Sequence, residues 1–303
     1  MSKYFIFWGE RYLFNPTFFQ NLLSLVLLPL SWLYCAIMLI RYKISSEIDF
    51  GVDIISIGNL SVGGSGKTPL TTTLASHYKN VAIILRGYGR NSQGMYIVSD
   101  GKNILQDVDV SGDEAMIYAQ KIPHAIVIVS ENRKIAIQQA KRMGVDIIFL
   151  DDAYSKHDIK KCDLLIEVKT KNNRCLPSGA FRERLWHSKK ALVLVDGIDF
   201  FRKTTLKDRC DKMSLITAIA RPQRLDSFLP KVVSKNYFED HHNFTKNEVE
   251  SILQKDKTES ALVTYKDYVK LEKFNIKLSL LDLEVEVDEK IYTYIEDYRA
   301  KKD

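Results

Sequence analysis

The chain has 303 residues, with 44 Lys and Arg against 38 Asp and Glu, a net charge of +6. That length suffices for a large α/β domain with a smaller partner, and a small, scattered basic excess does not mark a nucleic-acid-binding protein. Four cysteines, Cys35, Cys162, Cys175 and Cys210, lie far apart without metal-ligand spacing, so neither a disulfide nor a structural zinc is expected.

The first element is apolar. From Tyr12 through Ile40 there is no charged residue, and Leu22 to Ile40 is almost wholly apolar, close to the roughly 20 residues that a membrane-crossing helix needs. No small-residue cleavage site follows, which argues against a signal peptide. Trp32 and Tyr34 fall in mid-segment and Pro29 can kink the run, so a helix lying in the interface competes with one that crosses, and a buried core helix is the third reading. Residues 1–45 are expected to form a membrane anchor. If the next segment forms a nucleotide site, it must face cytoplasmic ATP, which puts the body of the protein in the cytoplasm.

Next, Asp53-Ile54-Ile55-Ser56-Ile57 reads as a buried strand and Leu70 to Tyr78 as a helix. Between them runs Gly58-Asn59-Leu60-Ser61-Val62-Gly63-Gly64-Ser65-Gly66-Lys67-Thr68-Pro69. Strand, glycine-rich turn, Lys-Thr and helix make a phosphate-binding loop. Backbone N–H groups of Ser61, Val62, Gly63, Gly64, Ser65 and Gly66 would converge on a polyphosphate at a helix N-terminus, Lys67 would reach its outer phosphates, and the Thr68 hydroxyl would ligate Mg²⁺. Ser61 stands where this motif carries its first glycine.

Beyond the loop, apolar strands alternate with helices: Val81–Leu85, Ala125–Val129, a helix over Lys134–Met143, Val145–Leu150, Leu164–Val168 and Ala191–Val195. Such a pattern implies a mostly parallel sheet covered by helices, with ligands at the carboxyl ends of its strands. Residues 46–212 are expected to form this nucleotide-binding domain. Asp151-Asp152 closes one strand, where phosphate-loop enzymes keep a Mg²⁺-holding carboxylate; a helix cap is the competing reading. Asp113 in Gly112-Asp113-Glu114 reads, on local grounds, as a helix cap.

From about Met213 the texture changes. Leu215–Ile219 and Ala261–Thr264 read as strands, Lys246–Gln254 and Ile291–Ala300 as helices, and residues 213–303 as a smaller C-terminal α/β domain. Arg221 reads as a solvated loop residue. Asp240-His241-His242 holds the only adjacent histidines, open to acid–base work, metal binding or loop structure.

Taken in order, these segments resemble the tetraacyldisaccharide 4′-kinases of lipid A biosynthesis. The resemblance is carried by the apolar N-terminus, the Gly58–Pro69 loop, Arg86-Gly87-Tyr88-Gly89, Gly112-Asp113-Glu114, Arg133, Asp151-Asp152, Leu176–Glu183, Ile219–Pro222, Asp240-His241-His242 and Thr264-Tyr265-Lys266-Asp267. It implies a phosphate-loop kinase using ATP and Mg²⁺ on the 4′-hydroxyl of a membrane-embedded acylated disaccharide 1-phosphate. Carried over by position, it implies Lys67 and Thr68 on ATP and Mg²⁺, and Asp151, Asp152 and Glu183 at the metal. Asp113 becomes the catalytic base, paired with His241, and Arg86, Tyr88, Arg133 and Arg182 lie near the substrate or the transferred phosphoryl group. The family's Asp-Asp-Gly-Phe-Gln-His is here Asp151-Asp152-Ala153-Tyr154-Ser155-Lys156, with His157 one place later. Its Thr-Glu-Lys-Asp is Thr264-Tyr265-Lys266-Asp267, and its Arg-Glu-Pro is Arg182-Glu183-Arg184. A membrane-anchored ATPase acting on a protein partner is the rival reading, and a kinase or ligase for a soluble acceptor a further one.

Overall fold

The computed structural model describes residues 3–220 and 222–301, with side chains from residue 8 onward; Arg221 lies outside the described residues. Three helices come first: α1 (Lys3–Phe14), α2 (Phe18–Val26) and α3 (Leu28–Ile44). The first sheet and its helices follow as β1 (Asp53–Gly58), α4 (Lys67–Ser76), β2 (Val81–Leu85), β3 (Tyr96–Asp100), α5 (Val108–Ser111), α6 (Asp113–Lys121), β4 (Ile126–Val129), α7 (Arg133–Arg142), β5 (Ile147–Asp151), β6 (Cys162–Ile166) and β7 (Leu192–Leu194). The remainder is β8 (Phe200–Lys207), β9 (Met213–Thr217), β10 (Ser234–Tyr237), α8 (Lys246–Asp256), β11 (Ser260–Thr264), α9 (Tyr265–Leu271), β12 (Leu278–Val287) and α10 (Glu289–Ala300).

Seven strands form the first sheet in the order β3-β4-β2-β5-β1-β6-β7, all parallel except the edge strand β3. The apolar runs that read as strands are its central members. Buried on both faces, they need helices above and below. Leu70 and Leu74 of α4, Tyr118 of α6, and Ile291 and Ile295 of α10 cover one face. Ala136, Ile137 and Ala140 of α7 cover the other.

The second sheet has the order β10-β9-β11-β12-β8, with β8 antiparallel to β12. It begins at Phe200, ahead of residue 213, while α10 returns to the first sheet's core. Contiguous sequence therefore does not divide as 46–212 and 213–303: β8, β12 and α10 cross between the two layers. Thr73 of α4 donates to the Val285 carbonyl of β12 at 2.9 Å, stitching them together.

No single helix among the described residues is long and apolar enough to cross a membrane; α2 and α3 reach that length only together, bent by 60°. Their polar side chains face the body. Ser24 Oγ donates to Ser178 O at 2.5 Å, Ser31 Oγ to Cys175 O at 2.6 Å and the Tyr34 hydroxyl to Arg182 O at 3.0 Å. Apolar ones face out: Phe18 is 80% exposed, Phe19 79%, Val26 69% and Trp32 68%. The same packing overturns the expectation of no disulfide. Because α3 lies along the loop before Arg182, Cys35 and Cys175 come within 6.3 Å between Cα atoms and are disulfide-bonded, a separation that suits the bond. Distance along the chain carried no trace of this. Cys162 and Cys210 are free and buried.

Candidate active site

The phosphate loop connects β1 to α4, and Gly66 precedes the helix at φ +78°, a left-handed conformation that favours glycine. Lys67 Nζ donates to Asn59 Oδ1 at 3.1 Å and lies 3.6 Å from Asp152 Oδ1. Val62 N, expected on the nucleotide, donates instead to Ala180 O at 2.9 Å, which with Arg182 N on Leu60 O sets Ser61 opposite Phe181 in an isolated antiparallel bridge. The loop's first half is thus tied to the segment carrying Arg182 and Glu183. Its second half, Gly64 to Thr68, lines a cleft of about 300 Å³ between the two sheets, walled by Glu114 and Ile117 of α6, Arg202 of β8, Phe228 and Leu283.

At the end of β5, Asp151 is buried. Its Oδ2 accepts from the Tyr118 hydroxyl at 2.8 Å, and its Oδ1 has no hydrogen-bond partner. Burial, aided by Asp152, raises its pKa against the pull of Lys67 and Arg133. Asp152, at φ +50°, is paired with Arg182 and Lys67. Burial would raise its pKa, but those cations outweigh it and hold it below the usual carboxylate value. Glu183 is not drawn into this group. It is buried with Oε2 3.6 Å from His157 Nε2, because the backbone pairing of Arg182 and Glu183 with Leu60 O sends the two side chains to different neighbours. No cluster of three or more His, Cys, Asp or Glu among the described residues forms a metal cage. Mg²⁺ does not require one: it keeps waters and takes one or two carboxylates beside phosphate oxygens. The buried, unpartnered Asp151 Oδ1, within the influence of Lys67, fits that demand.

Of the residues expected near substrate, Tyr88 is exposed, and Arg86 lies over its ring at 5.2 Å. Arg133 is buried instead. It donates to Ser130 O at 2.5 Å and Asp151 O at 3.2 Å, so it holds the strand end that carries the aspartates. Burial lowers its pKa to about 10.

Asp113 opens α6, and its Oδ1 accepts from the Glu114 N–H, the local role that the sequence suggests. Its other oxygen does more. Oδ2 lies 3.0 Å from His241 Nδ1, 3.3 Å from Lys270 Nζ and 3.8 Å from Lys266 Nζ. Burial pushes the Asp113 carboxyl up, yet His241, Lys266 and Lys270 outweigh it and hold it at about 2. The contact with Asp113 raises His241 above its ordinary value against its own burial. Asp113 and His241 share a small cavity with Gly89, Gly112 and Lys273.

A family model described as Tetraacyldisaccharide-1-P 4′-kinase matches residues 23–298. Relatives named tetraacyldisaccharide 4′-kinase include that of Aliarcobacter butzleri, 48% identical over 94% of each chain, and that of Campylobacter jejuni serotype O:2, 41% identical over 98% of each. The chain belongs to the tetraacyldisaccharide 4′-kinase family. A crystal structure of LpxK from Aquifex aeolicus in complex with ATP superposes with a TM-score of 0.73 at 26% identity, over 91% of this chain and 99% of that one. Membership favours a kinase over an anchored ATPase driving a protein partner.

Within that family frame, the structure separates the two histidines that the sequence left together. His242 Nε2 lies 3.0 Å from Glu248 Oε2 and its ring stacks on Phe238, so it braces the start of α8. Four further residues belong to the site. Asn59 holds Lys67. Glu114 is pushed up to about 7 by burial and by Asp151. Lys266 reaches Asp240 at 3.0 Å and His241 Nε2 at 3.3 Å. Asp267 accepts from Thr217 Oγ1 at 2.6 Å, Thr264 Oγ1 at 2.7 Å and Ala218 N at 2.9 Å, fixing the ends of β9 and β11, and the His241 N–H donates to Ala218 O at 3.3 Å. Glu114 and Lys266 were visible as neighbours of motif residues; nothing local disclosed their roles. The departure at Thr264-Tyr265-Lys266-Asp267 leaves Lys266 and Asp267 in place. In the other altered segment, Ala153 and Tyr154 are buried and His157 faces Glu183.

Proposed function

We propose that this chain transfers the terminal phosphoryl group of ATP to the 4′-hydroxyl of a tetraacyldisaccharide 1-phosphate. The observation that carries the reading is the Asp113–His241 pair, supplied from α6 and from the β10–α8 loop, beside a phosphate loop whose Lys67 is already oriented. Gly64 to Gly66 and Lys67 would hold the polyphosphate. Mg²⁺, held by Asp151 and Thr68, would balance charge on the phosphate oxygens. Asp152 and Arg182 keep Lys67 and the loop in register.

A sugar hydroxyl needs a group to take its proton as the new P–O bond forms. Asp113, with its side chain 1% exposed and its carboxyl held at about 2, is a poor acceptor by itself; the His241 ring is 30% exposed. We therefore read the pair as one unit, with Asp113 orienting the imidazole and stabilising its charged form, rather than Asp113 acting alone. Most of the barrier reduction comes from alignment and charge balance.

The outward apolar face of α2 and α3 supports an anchor that lies in the membrane interface. The body would then sit at the cytoplasmic face of the inner membrane, where acyl chains of the acceptor stay in the bilayer. The test is phosphate transfer from labelled ATP to a lipid A disaccharide 1-phosphate in detergent with Mg²⁺. Product that disappears in Lys67→Ala is expected. ATP turnover without lipid product would overturn the reading.

A further inference from the structure

Two arginines of the C-terminal half donate to consecutive carbonyl groups of the phosphate loop. Arg224 Nη1 reaches Gly64 O at 2.8 Å, and Arg202 Nη2 reaches Ser65 O at 3.0 Å. Arg202 projects from β8 into the cleft, with Nε 3.0 Å from Asp196 Oδ2 and its guanidinium over the Phe200 ring at 5.6 Å. Its two terminal nitrogens stand 2.9 and 3.0 Å from where a Cβ on Gly66 would be. A guanidinium is therefore pressed against the last turn of the loop before Lys67.

We propose that Arg202, seconded by Arg224, binds the nucleotide's polyphosphate from the side of the second sheet. A backbone carbonyl is a neutral acceptor, whereas a phosphate oxygen is charged and makes hydrogen bonds roughly twice as strong. A phosphate on the loop's N–H groups lies within a side-chain rotation of Arg202, and the guanidinium fork suits two of its oxygens. Asp196 on Nε and the Phe200 ring keep the planar guanidinium at the mouth of the cleft. Lys67 and Asp113 come from the first layer, Arg202 and His241 from the second. A polyphosphate held there is gripped from both layers that supply the Asp113–His241 pair.

This inference rests on Gly64–Thr68 being the nucleotide site, and the test separates the two. Affinities for ATP, ADP and AMP are measured by calorimetry on the full-length protein in detergent. Arg202→Gln is expected to weaken ATP and ADP about tenfold or more while changing AMP less than twofold, and Arg224→Gln to do the same to a smaller extent. Unchanged ATP affinity, or equal losses for all three nucleotides, would overturn the proposal, the second outcome assigning Arg202 to holding the loop's shape. If Arg202→Gln loses its thermal transition, Arg202→Lys carries the test: lysine keeps the charge but not the fork, so ATP affinity should still fall several-fold, and wild-type affinity would count against us. Lys67→Ala is the control, since ATP binding indifferent to Lys67 would sink the site rather than the role of Arg202.

Discussion

His241 Nδ1 lies 3.0 Å from Asp113 Oδ2 although 127 residues intervene between them, and the two belong to different layers of the fold. His241 adopts φ +62° to make this approach, a conformation that costs a non-glycine residue on the order of 1 kcal/mol.

That contact sets a pH dependence. Asp113 raises the pKa of His241 above 6.5, and the surrounding cations lower that of Asp113 from 3.8 to about 2. The pair's contribution to stability is full between those two unfolded values. It fades as pH rises through the raised histidine pKa, and again as pH falls from 3.8 toward about 2. Proton acceptance needs neutral His241, so kcat should rise with pH through an apparent pKa above 6.5. In Asp113→Asn that pKa should move down while kcat falls by roughly 10²–10⁴. A pH–rate profile checks this, and an unmoved inflection in the variant would separate Asp113 from His241.

Gly89 is the other side of the same contact. It sits at φ +74°, and a Cβ there would stand 2.8 Å from His241 Nδ1. Gly89→Ala must therefore displace the imidazole or the turn. Transfer to lipid should drop by about tenfold or more, the cost of misplacing a reacting group by an ångström or so, with ATP affinity unchanged. Calorimetry and the transfer assay on one preparation distinguish this from general unfolding.

Asp267 anchors the histidine loop from beneath. Asp267→Ala strips three buried donors, those of Thr217, Thr264 and Ala218, of their acceptor. At about 1–3 kcal/mol for each unsatisfied group, with partial relaxation, the expected loss is on the order of 3 kcal/mol. Thermal unfolding should show a fall of several degrees. Asp267→Asn, which keeps two acceptor lone pairs, should recover part of it.

Contiguity decided what the sequence disclosed. The phosphate loop, the parallel strands and Asp151-Asp152 are legible because each is a continuous segment in which residue type and local structure agree. Asp113 is not legible that way: as a helix cap it is complete, and only the resemblance paired it with His241. β8 escaped because Phe200 to Lys207 alternates half-buried Arg202, Thr204 and Leu206 with exposed Phe201, Lys203, Thr205 and Lys207, without an apolar run. With β8 went Arg202. The Cys35–Cys175 bond and the inward turn of Arg133 were equally hidden, since both are set by which surfaces meet and not by spacing along the chain.

The N-terminal helices carry the last prediction. In α2 and α3, Gln20, Ser24 and Ser31 are buried while Phe18, Phe19 and Val26 are exposed, the inverse of a helix on a water-facing surface. Ser24 and Ser31 spend their hydroxyls on carbonyls of the Cys175–Ser178 loop, so the polar side is already satisfied and only the apolar side is left to find a partner. Under the proposed function, a lipid surface would be that partner, since the acylated substrate lies in one. At about 1.5–3 kcal/mol for each large apolar side chain removed from water, the triple change Phe18→Ser, Phe19→Ser, Val26→Ser should weaken partitioning onto phospholipid vesicles by about a hundredfold or more. Calorimetric ATP affinity should hold, because all three are mostly exposed and none lines the cleft beside the phosphate loop. Vesicle flotation measures the first quantity, and unaltered flotation would remove this face from membrane attachment. Ser24→Ala and Ser31→Ala should do the reverse: attachment persists, but the loop that leads into Arg182 and Glu183 loosens, and thermal stability falls with it.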